Sequence, residues 1–232
     1  MVEKASLQSG ITAVVPAAGV GSRMQADCPK QYLHLSGKPL ITHTVERLLS
    51  HAAIDHVIIA IGENDGYFAE TGLGDNPDIT VVTGGATRAQ SVQAGLEVVQ
   101  TRWVMVHDAA RPCVTHKDID ALIHAAQSHS DGAILAAPVR DTMKRAQPDG
   151  CIAQTVDRQA LWHALTPQMF PTLHLKVALA SAGDQVTDDA SAIEAAGGHP
   201  LLVPASASNI KVTHPEDRVL AEFYLSQQEG KS

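Results

Sequence analysis

Aromatic side chains are scarce in this chain: three Phe, three Tyr and two Trp among 232 residues. That is too few for a platform on which nucleic-acid bases stack. Positive charge is also in deficit, with 17 Lys and Arg against 25 Asp and Glu and a formal net charge of -8. Coating a polyanion relies on clustered cations that release counterions, so this balance argues against a nucleic-acid partner. The three cysteines, Cys28, Cys113 and Cys151, are too widely spaced for a disulfide framework or a CxxC metal knuckle, which points to a reducing compartment. No apolar run approaches the roughly 18 residues that span a bilayer. The opening MVEKASLQSG lacks the charged-then-apolar build of a signal peptide. The expectation is a cytoplasmic protein with no membrane partner. Twelve histidines show no HExxH or paired Cys/His spacing, and no GxSxG elbow occurs, so zinc and serine-nucleophile chemistries lack their residues. His107 and His163 read as structural hydrogen-bonders.

What is present is a composition 44% hydrophobic, enough to bury a core. ITAVV (11–15), HVIIAI (56–61), ITVV (79–82), WVMVH (103–107) and GAILAAPV (132–139) read as strands, apolar nearly throughout because both faces are covered. Between them lie helical stripes: Ile41, Val45, Leu48 and Leu49; Ala89, Val92, Leu96 and Val99; Ile119, Leu122, Ile123 and Ala126. The alternation predicts an α/β fold, a Rossmann-like and mostly parallel sheet with helices on both faces, forming one domain over 1–232. The pattern breaks after Val139. Two polar arms flank Gln147-Pro148-Asp149-Gly150, where Pro presets φ and Gly accepts a positive one. A hairpin this polar has little to bury against its own domain, so 139–158 reads as a protruding β-arm that hooks a second copy into a homodimer. Helices near 171–182 and from Thr187, strands near 201–203 and 209–212, and a last helix from Pro215 follow; Val219, Leu220, Phe223 and Tyr224 are expected to face inward.

Directly after the first strand stands Pro16-Ala17-Ala18-Gly19-Val20-Gly21-Ser22-Arg23-Met24. Small residues let backbone N–H groups approach a phosphate, at the strand ends where open α/β sheets bind ligands. It is not the dinucleotide fingerprint, since Met24 holds the place of the third Gly. It is not a P-loop either, since Gly37-Lys38 precedes Pro39. Arg23 and Lys30 beside the loop suit a phosphoryl or nucleotidyl group that gathers charge in its transition state. Two further strand ends converge there. Thr83-Gly84-Gly85-Ala86-Thr87-Arg88 opens the helix carrying Ser91, whose N-terminus could hold an anion or a ribose hydroxyl. His107-Asp108-Ala109-Ala110-Arg111 supplies a carboxylate of the kind Mg²⁺ shares with phosphate oxygens, or else one that caps or braces a turn. Arg158 and Thr166 fall in irregular segments, Thr187 reads as an N-cap, and Lys211 is the single cation of a short strand.

Taken together, PAAGVGSRM, CPKQYLHLSGKPL, GGATRAQSV, HDAARPC, RDTMK, TVDRQALWHALTPQ, TDDASAIE and NIKVT resemble the 2-C-methyl-D-erythritol 4-phosphate cytidylyltransferase family of the non-mevalonate isoprenoid pathway. The likeness runs in order from about residue 11 to 225. It implies a homodimer locked through the arm, and attack of methylerythritol phosphate on the α-phosphorus of CTP with Mg²⁺ and release of pyrophosphate. Carried over by motif, it makes Arg23, Lys30 and Lys211 catalytic and Asp108 the metal ligand. It assigns CTP to Ala17, Ala18, Gly19, Gly21, Gly85, Arg88, Ser91 and Ala109. The sugar phosphate falls to Arg111, Thr142, Arg158, Thr166, Thr187 and Lys211, with Thr142 and Arg158 reaching from a partner's arm. Ala86 and Ser208 depart from the family pattern, which commonly has acidic residues there. A cytidylyltransferase for ribitol 5-phosphate and a catalytically silent nucleotide-binding subunit are the alternatives.

Overall fold

The computed structural model describes residues 7–19, 28–183 and 186–229. Strand β1 (Gln8–Pro16) leads to a 3₁₀ turn at Lys30–Tyr32, the ribbon β2 (His34–Leu35) and β3 (Lys38–Pro39), and helix α1 (Leu40–Leu49). β4 (Ile54–Ile61), β5 (Ile79–Thr83), α2 (Arg88–Leu96), β6 (Thr101–Val106), α3 (His116–Gln127) and β7 (Ala133–Pro138) follow. Then come β8 (Met143–Ala146), β9 (Ile152–Val156), β10 (Trp162–Pro171), α4 (Thr172–Ala182), α5 (Asp189–Ala195), β11 (Leu201–Pro204) and α6 (Pro215–Glu229).

Seven strands form one sheet in the order β11-β7-β10-β6-β1-β4-β5. Neighbours run parallel except at β10, which is antiparallel to both β6 and β7. Consecutive residues of a strand point to opposite faces, so the unbroken apolar runs feed two cores at once. Ala13 and Val15 pack with Ile59, Met105 and the buried stripes of α1 and α3 (Ile41, Val45, Leu48, Ile119, Leu122). Val14 packs on the other side with Ile58, Val104 and residues of α2, α4 and α5 (Val92, Leu96, Leu175, Leu179, Ile193). Gly95 lets α2 lie close on the sheet, because a Cβ there would stand 2.6 Å from Val14 Cγ1.

The chain leaves β1 for β4 and β5 on one side, then crosses to β6 on the other. β1 is therefore the switch point, and a crevice opens at its carboxyl end. A third cluster, Leu35, Leu40, Ala110, Cys113, Val212, Ala221 and Leu225, seats α6 and the segment before it against that end of the sheet.

Several local expectations change. Residues 209–212 form no ladder; Val212 N–H donates to Ala110 O at 2.8 Å, and the run is too short to pair further. The segment around Thr166 is regular, lying inside β10. On α6 Tyr224 packs against the third cluster as expected, beside the buried Ala221 and Leu225, while Val219, Leu220 and Phe223 are exposed because the contact is narrow. Asp188, not Thr187, caps α5, its Oδ1 accepting from Ser191 N–H at 2.9 Å in a capping box. The arm is a two-stranded hairpin apart from the main sheet, with exposed side chains along both strands and Gly150 at φ 86 in its turn.

Candidate active site

Three loops meet at the carboxyl end of the parallel strands. Ala17 N–H donates to Ala60 O at 2.7 Å, tying the exit of β1 to β4. Gln31, buried in the 3₁₀ turn, donates through Nε2 to Ala17 O at 2.7 Å and Gly19 O at 3.0 Å. This clamp holds the stem of the glycine loop beside Lys30. On the second loop Gly84 has no room for a side chain, since a Cβ would meet Ala18 Cβ and Ser91 Oγ, each at 2.8 Å. Thr87 caps α2 by accepting from Gln90 N–H, and Ser91 Oγ accepts from Gly85 N–H at 3.2 Å. From the third loop Asp108 N–H donates to Thr166 Oγ1 at 3.0 Å.

These loops enclose a cavity of about 310 Å³ lined by Ala17, Ala18, Gly19, Lys30, Gly85, Arg88, Ser91, Asp108, Ala109 and Lys211, among others. A second cavity, of about 270 Å³, is lined by Arg88, Asp108, Arg111, Leu165, Thr166, Thr187 and Lys211 with their neighbours. Arg88, Asp108 and Lys211 line both, so they form the wall between them. Two larger hollows of about 470 and 540 Å³ lie toward the amino ends of β6 and of β1 and β4, away from these cations.

The wall is a charge cluster. Asp108 Oδ1 accepts from Arg88 Nε at 3.0 Å and Oδ2 from Lys211 Nζ at 2.6 Å, with Arg111 Nε 3.9 Å away. Burial alone would raise the Asp108 pKa; the cations Arg88, Lys211 and Arg111 outweigh it and hold the carboxyl well below its ordinary range. Asp108 is thus neither a helix cap nor a turn brace but the anionic centre of the wall. Arg111 is buried, and burial lowers its pKa. Its Nη1 donates to Asn209 O at 2.8 Å, while Nε has no hydrogen-bond partner among the described residues. With Nε 3.9 Å from Asp108, Arg111 contributes its positive charge to the wall of the second cavity. His107 is fully buried, which lowers its pKa to about 4; its Nε2 bonds Arg111 O and its Nδ1 bonds Thr166 Oγ1. It is a structural neutral ring, as its sequence context indicated.

Of the residues singled out by sequence, Ala17, Ala18, Gly19, Lys30, Gly85, Arg88, Ser91, Asp108, Ala109 and Lys211 share the first cavity, and Arg111, Thr166 and Thr187 line the second. Thr142 and Arg158 sit exposed on or beside the arm and line neither. Gly21 and Arg23 lie outside the described residues. Sequence reasoning missed Gln31, Asn209, Gln168 and Asp189. Gln168 ties β10 to α5, donating to Asp188 Oδ2 and accepting from Ala190 N–H. All four lie within quoted motifs, CPKQYLHLSGKPL, TVDRQALWHALTPQ, TDDASAIE and NIKVT, but each acts on backbone or on a buried ion, a role that residue type alone does not reveal.

For a divalent cation the first cavity offers one carboxylate, Asp108, and the described residues hold no group of three acidic, His or Cys side chains. That donor set fits Mg²⁺, which takes one or two carboxylates and completes its shell with phosphate oxygens and water.

A switch-point crevice lined by small residues, sharing a wall of Arg88, Asp108 and Lys211 with a second cavity, is the arrangement of a nucleotidyltransferase. A family model for 2-C-methyl-D-erythritol 4-phosphate cytidylyltransferase matches residues 11–227, and the chain belongs to that family. It is 55% identical over 231 residues to the 2-C-methyl-D-erythritol 4-phosphate cytidylyltransferase of Vibrio vulnificus (strain YJ016), covering 96% of this chain and 98% of the relative. A crystal structure of 4-diphosphocytidyl-2C-methyl-D-erythritol synthase superposes with a TM-score of 0.83 at 35% identity, covering 94% of this chain and 100% of that one. The Francisella tularensis 2-C-methyl-D-erythritol 4-phosphate cytidylyltransferase gives 0.80 at 34%, covering 93% and 100%. The match decides against ribitol 5-phosphate and against a silent subunit: the chain is a cytidylyltransferase of isoprenoid precursor biosynthesis.

Proposed function

We propose that CTP occupies the first cavity and 2-C-methyl-D-erythritol 4-phosphate the second, so that the reaction takes place across the Arg88–Asp108–Lys211 wall. A phosphate oxygen of the sugar alcohol attacks the α-phosphorus of CTP. The bond to the β-phosphate oxygen breaks, its electron pair leaves on pyrophosphate, and 4-diphosphocytidyl-2-C-methyl-D-erythritol forms. The nucleophile needs no general base, because the second ionisation of a phosphate monoester lies near pH 6. The protein's task is alignment and charge stabilisation. Lys30 and Arg23 stabilise the pentacoordinate α-phosphorus, Lys211 holds the attacking phosphate at the wall, and Arg111, Thr166 and Thr187 bind its remaining oxygens. Small residues and Ser91 place the nucleoside with backbone and hydroxyl contacts. Asp108 would hold Mg²⁺, which supplies neutralising charge to the triphosphate when bound.

The observation that supports this reading is the shared wall: two cavities are lined by one ion cluster, as the joining of two phosphate substrates requires. We also propose a homodimer in a reducing cytoplasm. The three cysteines are unpaired, and Met143 and Ile152 stand exposed on an arm separate from the main sheet. That placement supports an arm lying on a second copy, with Thr142 and Arg158 completing its sugar-phosphate site. Pyrophosphate release from CTP with a panel of polyol phosphates tests the function. Turnover with the methylerythritol phosphate is expected, and preference for ribitol 5-phosphate would overturn it.

A further inference from the structure

Arg88 is gripped from behind. Its Nη2 donates to Asp189 Oδ2 at 2.8 Å while its Nε donates to Asp108 Oδ1 at 3.0 Å, so one guanidinium spans two carboxylates. Asp189 is fully buried and lines neither cavity, whereas Arg88 and Asp108 line both. Its other oxygen, Oδ1, has no hydrogen-bond partner among the described residues. An ionised carboxylate sealed from water with one oxygen unpaired is costly, and burial accordingly raises its pKa, offset in part by Arg88. The isosteric amide would fill the same space without a charge, its NH2 standing where the oxygen is unpaired. What the carboxylate adds is the ion pair with Arg88.

We propose that Asp189 is a positioning residue for nucleotidyl transfer: it fixes the plane of the Arg88 guanidinium so that Arg88 stays on Oδ1 of Asp108 and Lys211 on Oδ2. The order Asp189, Arg88, Asp108, Lys211 is a chain of fixed contacts running from the interior to the wall. Three cations, Arg88, Lys211 and Arg111, face two carboxylates, leaving one net positive charge. Without Asp189's charge, Arg88 is released toward the triphosphate. CTP is then held as well as before in the ground state, but the cations no longer match the transition state, and the loss falls on kcat. The inference rests on the reading that the wall separates the two substrates.

The test is steady-state pyrophosphate release by the full chain with CTP, 2-C-methyl-D-erythritol 4-phosphate and Mg²⁺, comparing Asp189→Asn, Arg88→Gln, their double variant and Arg88→Lys. Asp189→Asn is expected to lose about tenfold or more in kcat, with KM for CTP within about threefold of wild type. The double variant should be no slower than Arg88→Gln, because Asp189 acts through Arg88. Normal kcat in Asp189→Asn, or losses that multiply in the double variant, would overturn the proposal. Should Asp189→Asn fail to fold, Arg88→Lys decides. One ammonium point charge cannot reproduce the planar two-pronged bridge, so kcat should stay as low as in Arg88→Gln, and recovery to within about threefold of wild type would overturn the proposal. An inactive wild type would fault the reaction itself; an active wild type with unaffected variants faults only the role of Asp189.

Discussion

Replacing Asp108 with Asn removes the anion around which the wall is built, and the cost can be worked from its contacts. Asp108 is 8% exposed and meets Lys211 at 2.6 Å, Arg88 at 3.0 Å and Arg111 at 3.9 Å. Breaking a buried ion pair costs about 3–5 kcal/mol. The side chains of Lys211 and Arg88 keep 37% and 29% of their surface in water, and Arg88 keeps Asp189, so the low end, about 3 kcal/mol, applies. For a chain of this size each kcal/mol moves Tm by about 2–4 °C, giving a fall of about 6–12 °C. The variant also carries uncompensated positive charge, so pyrophosphate should raise its Tm more than it raises that of wild type. The sign with pH follows from the depressed pKa of Asp108. Its stabilisation is complete above the ordinary carboxylate pKa of about 4 and is lost as pH falls toward the folded-state value, so the variant lacks that acid limb. Calorimetry with and without pyrophosphate measures both effects. A Tm within about 2 °C of wild type, or equal stabilisation of the two proteins by pyrophosphate, would refute the reasoning.

Three other outcomes are expected. Burial lowers His107 from 6.5 to about 4, so the unfolded chain binds a proton that the folded one refuses. Stability should therefore rise across that pH window by about 3 kcal/mol, and denaturant titrations should show His107→Gln flattening the rise. Gln31→Ala removes two hydrogen bonds to Ala17 O and Gly19 O, worth about 1 kcal/mol each. It should raise KM for CTP about tenfold or more in initial-rate assays, and an unchanged KM would show that the loop holds itself. Arg158→Ala should raise KM for the sugar phosphate, and mixing it with Lys30→Ala subunits should restore part of the activity; no recovery would place Arg158 in its own chain's site.

The sheet was legible because its strands carry unbroken β-branched runs, and those runs are the direct result of burial on both faces. The cationic and small residues of the crevice were legible because phosphate chemistry restricts residue type. β10 was harder to see: His163, Thr166, Pro167 and Gln168 interrupt its apolar run, and its side chains answer to the site as much as to the core. The inward face of α6 is only partly legible, because the shallow contact admits Ala221, Tyr224 and Leu225 and leaves Val219, Leu220 and Phe223 exposed despite their apolar side chains. Asp189 was hidden for a different reason. Nothing in TDDASAIE marks its partner, and only the fold brings Arg88 to it across 101 residues of sequence.

Transfer of a cytidylyl group between two cavities that share one wall can be followed at the α-phosphorus itself. With CTP labelled at that atom and 2-C-methyl-D-erythritol 4-phosphate as acceptor, the label should appear in the diphosphocytidyl product, with unlabelled pyrophosphate released in equal amount. Label recovered as CMP, or an acceptor carrying the γ-phosphate instead, would contradict the account.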